Sequence, residues 1–157
     1  MRLFFILVFI LPLSCSENPE HERPEPVFVR NEAEAAEWSK RENKPALVMY
    51  TMLRYVADYD HLFENINTNP AADDIREHFV FCLINTTDTT IFPDTAIATT
   101  YGQAAASFMK TRYQTNASPL YVIIDSKNRL LATPTAKCSQ ALFQHFLETG
   151  MRNFETH

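Results

Sequence analysis

Glycine is nearly missing from this chain, with two in 157 residues. Tight turns must therefore rest on Asn, Asp and Pro, which reach turn geometry through a fixed φ or local side-chain hydrogen bonds. Cysteine is scarce as well: Cys15, Cys82 and Cys138 are the only three. The last two, 56 positions apart in the chain, form neither a disulfide framework nor a metal-ligand spacing. Positive charge is not in excess. A formal net charge of −5 with no compensating basic stripe argues against a nucleic-acid partner. His21, His61, His78, His145 and His157 show no ligand spacing, so neither a metal nor another cofactor is expected. Asp58, Asp60 and Glu64 read as a solvated helix face rather than as paired catalytic carboxylates.

The apolar run Leu3 to Leu11 follows a single basic residue and is too short to span a membrane as a helix. With the small residues that follow, it reads as a secretory signal over residues 1–14. Leu13-Ser14-Cys15 resembles the lipobox of bacterial lipoproteins, in which that cysteine becomes the acylated first residue, although Pro12 and Leu13 depart from the usual pattern. The alternative is an ordinary cleaved signal beside an incidental cysteine. Residues 15–26 carry SENPEHERPEP after the cysteine. With three prolines, four glutamates and nothing apolar to bury, this segment reads as a solvated tether reaching about 30 Å at roughly 3 Å per residue. The remaining chain is long enough for one domain with a sizeable core, placed at 27–154.

Within that domain the anchor is Asn116-Ala117-Ser118-Pro119-Leu120-Tyr121-Val122-Ile123-Ile124-Asp125. Proline cannot donate to a sheet ladder and so belongs at the start of a strand. The run that follows is apolar at every position, as in a central strand covered on both faces. A proline at such an entrance is also a candidate for a cis bond. Val27-Phe28-Val29, Ala46 to Thr51 and Phe79 to Ile84 are further strands by the same reasoning. Asn31 caps a helix to about Glu42, with Glu34 reaching back as in a capping box. Helices are also expected from about Ala57 to Asn65, from Asn69-Pro70 to His78, from Ala104 to Tyr113, and from Ser139 to Thr149. The last is expected to bury Leu142, Phe143, Phe146 and Leu147 and to stop at Gly150. Arg129 to Thr133 is expected to return antiparallel after a turn at Ser126-Lys127-Asn128. The order β-α-β-α-β-α-β-β-α predicts an α/β, thioredoxin-like fold: a central mixed sheet of about five strands flanked by helices.

The segments KPALVMYT, FVFCLINTTD, YGQAAASFMKTRYQTNASPLYVIIDSKNRLL and FLETG resemble the thioredoxin-like C-terminal domain of bacteroidetal DsbD-type thiol:disulfide interchange proteins. The likeness spans roughly Val27 to Phe154. It implies a cis bond before Pro119 and an active site at the junction after the second strand. There the family carries Cys-x-x-Cys, whereas this chain carries Tyr55-Val56-Ala57-Asp58-Tyr59. Thiol–disulfide exchange needs an attacking thiolate and a resolving thiol, and none of these side chains supplies either. Asp58 reads as a helix-start residue stabilised by the dipole.

What is left of that site is a binding region formed by Tyr55, Val56, Ala57, Asp58, Tyr59, Ser118 and Pro119, with no catalytic residue assigned. Tyr50, Tyr55 and Tyr59 either line that surface or pack as core. Cys82, within an apolar strand, reads as an inert small hydrophobe, and Cys138, ahead of the last helix, as the more exposed thiol. Asn85-Thr86-Thr87 and Asn116-Ala117-Ser118 match the glycosylation sequon, with consequences only in a eukaryotic host.

The expectation is therefore a periplasm-facing lipoprotein of the bacterial cell envelope, in the inner or the outer membrane, that binds a protein or extended peptide. One alternative is an oxidoreductase-related protein working through a single cysteine or a partner's thiol. Another is a structural subunit of an envelope assembly, docking through the threonine-rich loop at Thr86 to Thr90. Metabolic labelling of a bacterial host with a palmitate analogue is expected to mark the chain but not its Cys15→Ala variant, which should move from the membrane to the soluble fraction. An unlabelled wild-type chain would leave the ordinary cleaved signal.

Overall fold

The computed structural model describes residues 26–53, 72–136 and 138–156. The signal segment, Cys15 and almost all of the tether lie outside the described residues, as do Tyr55 to Tyr59, the helix expected from Ala57 to Asn65 and the Asn69-Pro70 cap. Among the described residues no helix is long and apolar enough to cross a membrane.

The elements follow as β1 (Val27–Phe28), α1 (Glu32–Glu42), β2 (Ala46–Thr51), α2 (Ala72–His78), β3 (Val80–Asn85), α3 (Tyr101–Tyr113), β4 (Leu120–Ile124) and α4 (Gln140–Glu155). They build one sheet in the order β1-β3-β2-β4. β3 runs parallel to both β1 and β2, the latter in register from Ala46↔Val80 to Thr51↔Asn85. β4 is antiparallel to β2, from Ala46↔Ile124 to Tyr50↔Leu120. This is the thioredoxin-like arrangement, with four strands rather than five.

The fifth strand expected at Arg129 to Thr133 is reduced to isolated bridges, Ile124↔Leu130 and Tyr121↔Thr135. Three steps along β4 face five along the returning segment, so two surplus residues interrupt the ladder, as in an extended bulge. Pro134, which has no N–H to donate, falls inside the gap. The turn before it is tightly built. The Asp125 carboxylate accepts from the Lys127 N–H at 2.8 Å, the Arg129 N–H at 2.9 Å and Arg129 Nε at 2.6 Å. Desolvation opposes ionisation of Asp125, but these donors and the guanidinium charge outweigh it and hold the carboxyl below its ordinary range.

Alternate residues of each strand enter opposite cores. Leu47, Met49, Phe81, Leu83 and Ile123 meet Ile75 of α2 and Phe143, Phe146 and Leu147 of α4. Val48, Tyr50, Cys82, Ile84 and Val122 meet Ala35 and Ala36 of α1 and Ala105 and Met109 of α3. Coverage on both faces is why these strands carry no polar alternation.

Asn31 caps α1 as expected, accepting from the Glu34 N–H at 3.0 Å, but the Glu34 carboxylate reaches one residue further, to the Arg30 N–H at 2.8 Å. α1 ends on Asn43 at φ 51°. Gln114 and Asn128 also hold positive φ, at 53° and 58°, so amide side chains stand where glycine is usual. Thr100 caps α3, which starts at Tyr101, three residues earlier than expected. α4 runs through Gly150 to Glu155, and Leu142 lies outside its buried stripe at 61% exposure. The stripe is Phe143, Phe146, Leu147 and Gly150, spaced i, i+3, i+4, i+7.

Both glycines serve close approach. A Cβ at Gly150 would stand 2.4 Å from Ile123 Cδ1, and one at Gly102 would stand 2.6 Å from the Asp88 nitrogen and 2.8 Å from the Thr86 and Asp88 carbonyl oxygens. Alanine gains about 1 kcal/mol of helix propensity over glycine, against about 1–3 kcal/mol for overpacking. Gly102→Ala and Gly150→Ala are both expected to lower the urea midpoint. Gly102→Ala should lower it more, because a backbone neighbour cannot rotate aside as the Ile123 side chain can.

Candidate functional site

The carboxyl ends of β2 and β3 meet the start of β4 at one edge of the sheet, where open α/β sheets tend to place their ligands. Here the chain leaving β2 is fixed by its neighbours. The Met52 N–H donates to Ser118 Oγ at 3.2 Å, and the Leu53 N–H donates to Asn85 Oδ1 at 3.1 Å. Thr87 Oγ1 donates to the Leu53 carbonyl at 2.9 Å, while the Thr86 N–H donates to the Thr51 carbonyl at 2.8 Å. Thr86 and Thr87, read from the sequence as part of a docking loop, thus hold the exit of β2.

The Ser118–Pro119 bond is cis, and β4 begins at Leu120, one residue after the proline at which the strand was expected to start. Ser118 is exposed, Pro119 half-buried, and Met52 beside them is 46% exposed. Of the binding region expected from the sequence, Ser118 and Pro119 are therefore together at this edge. Tyr55, Val56, Ala57, Asp58 and Tyr59 lie outside the described residues.

The two described cysteines differ in burial and lie in separate cores. Cys82 is wholly buried in the middle of β3, and burial pushes its thiol up to about 12. Cys138 is half-buried and packs against the core shared by α2 and α4, whereas Cys82 belongs to the core on the opposite face. The sheet stands between them. Among the described residues no group of His, Cys, Asp and Glu is arranged to hold a metal ion.

Sequence reasoning missed a second constellation. Glu32, the first residue of α1, is only 2% exposed. Its Oε1 accepts from the Tyr50 hydroxyl at 2.7 Å and from the Tyr113 hydroxyl, and its Oε2 pairs with Arg112 Nη1 at 3.0 Å. The same guanidinium donates through Nη2 to the Asn128 carbonyl at 3.0 Å. Burial, then the neighbouring carboxylate, pushes the Tyr50 phenol far above its usual range. The Tyr113 phenol is raised by burial and by its hydrogen bond to Glu32. Both hydroxyls stay protonated and donate to an anion.

Tyr50, whose sequence assignment was open between surface and core, is thus interior. A glutamate in the first helical turn also reads as a dipole partner in solvent. Only the tyrosines, 18 and 81 positions away, mark it as buried, and no local spacing connects them. Glu32→Ala strands two hydroxyls and a guanidinium, and is expected to cost about 3–5 kcal/mol in urea unfolding. Tyr50→Phe, which leaves the carboxylate its other donors, is expected to cost about 1.5–3 kcal/mol.

No protein-family profile matches the chain, and no curated protein matches it. Among solved structures, one titled DsbH oxidoreductase aligns at a TM-score of 0.48 and 14% identity, covering 96% of this chain and 95% of that one.

Proposed function

We propose that the chain is a binding module with a thioredoxin-like fold, derived from a domain of the DsbD C-terminal type and no longer carrying its own dithiol chemistry. In this reading a lipidated Cys15 tethers it to the bacterial envelope, facing the periplasm, and it recognises a protein or an extended peptide. The observation that carries the proposal is the edge at Ser118. An exposed residue there sits beside exposed Met52, bonded to it at 3.2 Å, on a backbone that Asn85 and Thr87 hold still. A peptide laid along this edge gains main-chain pairing, with side-chain contacts to Met52 for selectivity. Because the recognition surface is separate from the sulfurs, it persists without them.

A single-cysteine mechanism is the second reading. Cys138 favours it by being a half-buried rather than wholly buried thiol. Thiol titration separates the two. On the binding reading, a Cys15→Ala chain leaves Cys82 unmodified by Ellman's reagent at pH 8 until denaturant is added, and insulin reduction stays at background. A photo-crosslinker replacing Ser118 should capture an envelope protein in intact cells, while one at exposed Leu142 should not. Insulin reduction that Cys138→Ser abolishes would replace the binding reading with the second.

A further inference from the structure

On the face of the sheet opposite α2 and α4, a cleft of about 460 Å³ opens between the start of α1 and one side of α3. It lies within the size range of small-molecule sites, roughly 300–1,000 Å³. Its walls are apolar: Ala104, Ala105 and Phe108 of α3, and Phe92 and Ile97 of the loop before that helix. Ile97 is 66% exposed, and Phe108 is exposed as well. Large apolar side chains displayed in a concave site gain free energy when a ligand takes them out of water. Hydrocarbon is therefore what the walls accept.

The charges at the cleft decide what the other end of a ligand carries. Glu32 belongs to the lining, but it is buried and its carboxylate is already matched by Tyr50, Tyr113 and Arg112. Arg30 is the charge left over. It lines the cleft, it is exposed, and among the described residues no carboxylate pairs with it. Its guanidinium carbon stands 4.8 Å from the centre of the Tyr101 ring, and that ring meets Phe92 of the apolar wall edge-on at 5.1 Å. An aromatic support thus keeps the cation beside the hydrocarbon wall. The Glu34 carboxylate accepts from the Arg30 backbone N–H, not from the guanidinium, and Glu34 does not line the cleft. Asn31 and Ala33, in the first turn of α1, line it next to Arg30, where the helix dipole acts in the same sense as the guanidinium.

We infer that this cleft is a ligand site for a fatty-acid-type amphiphile, a single hydrocarbon chain ending in a carboxylate. The chain lies against Phe92, Ile97 and Phe108, and the carboxylate pairs with the Arg30 guanidinium, whose planar fork matches it with two parallel hydrogen bonds. An ammonium head meets a cation of its own sign and the positive end of α1, so it is disfavoured. Ser118, Pro119 and Met52 do not line the cleft. The site is thus distinct from the peptide edge and independent of the binding reading given there.

The test is calorimetric titration of the intact protein with decanoate and, in parallel, with decylamine, both below the concentrations at which they form micelles. Saturable binding of decanoate is expected, at least about tenfold tighter than decylamine, equivalent to about 1.4 kcal/mol. Arg30→Ala should weaken decanoate by about three- to tenfold without weakening decylamine, and Arg30→Lys, which keeps the charge, should lose less. Ala104→Phe, which fills the cleft without touching Arg30, should abolish decanoate binding while leaving the circular dichroism spectrum unchanged. Absence of saturable decanoate binding to the wild-type chain, equal affinity for acid and amine, or undiminished decanoate binding to Arg30→Ala or to Ala104→Phe would each overturn the assignment. The wild-type comparison stands even if a variant fails to fold.

Discussion

Two strands, β2 and β3, lie under helices on both sides, and the architecture follows from that constraint. Every residue of β2 is buried, as is every residue of β3 except Asn85. A strand with no solvent face has to be apolar at each position and central in its sheet. The weak elements are accordingly pushed outward. β1 is two residues long at one edge, and the segment after β4 manages only isolated bridges at the other. Polar chemistry is left to the strand ends, where Asn85 and Ser118 take up the backbone groups that the ladder releases.

Glu32 is the exception that this interior admits. Taking a carboxylate out of water is costly, and attraction to a single cation does not always repay it. Here the compensation comes from two phenols and a guanidinium drawn from β2 and α3, so the cluster ties the first turn of α1 to elements far away in the chain. Packing of small side chains such as Ala35 and Ala36 brings α1 close to the sheet, and the polar cluster then sets where along the sheet it rests. Satisfied networks of this kind favour one arrangement because every displaced alternative leaves a charge or a hydroxyl unmatched.

Local patterns were legible in the sequence. Uninterrupted apolar runs identified β2, β3 and β4, a proline located the start of β4, Asn31 marked the start of α1 through its capping chemistry, and an amphipathic pattern marked α4. The errors arose where tertiary contact overrode a local signal. Gly150 reads as a helix stop, yet it is the point where α4 rests on Ile123. Leu142 fits an amphipathic stripe, but the buried stripe leaves it out and takes in Gly150 instead. The returning strand failed because its register carries two residues too many, which only pairing reveals. Of the candidate site, the Ser118–Pro119 half was readable from one dipeptide before an apolar run. Glu32 was not, since its partners converge only after folding.

The sheet also divides the interior into halves of different chemical character. Between the sheet and α2 and α4, contact is made by interchangeable hydrocarbon such as Leu47, Phe81, Phe146 and Leu147. Between the sheet and α1 and α3, directional bonds to one carboxylate are added to the hydrocarbon contacts. Descendants of this chain should therefore drift freely on the first side, trading one aliphatic or aromatic shape for another at nearly constant volume. On the second side, a change at Glu32 is felt at once by Tyr50, Tyr113 and Arg112, so substitutions within that quartet are coupled to one another.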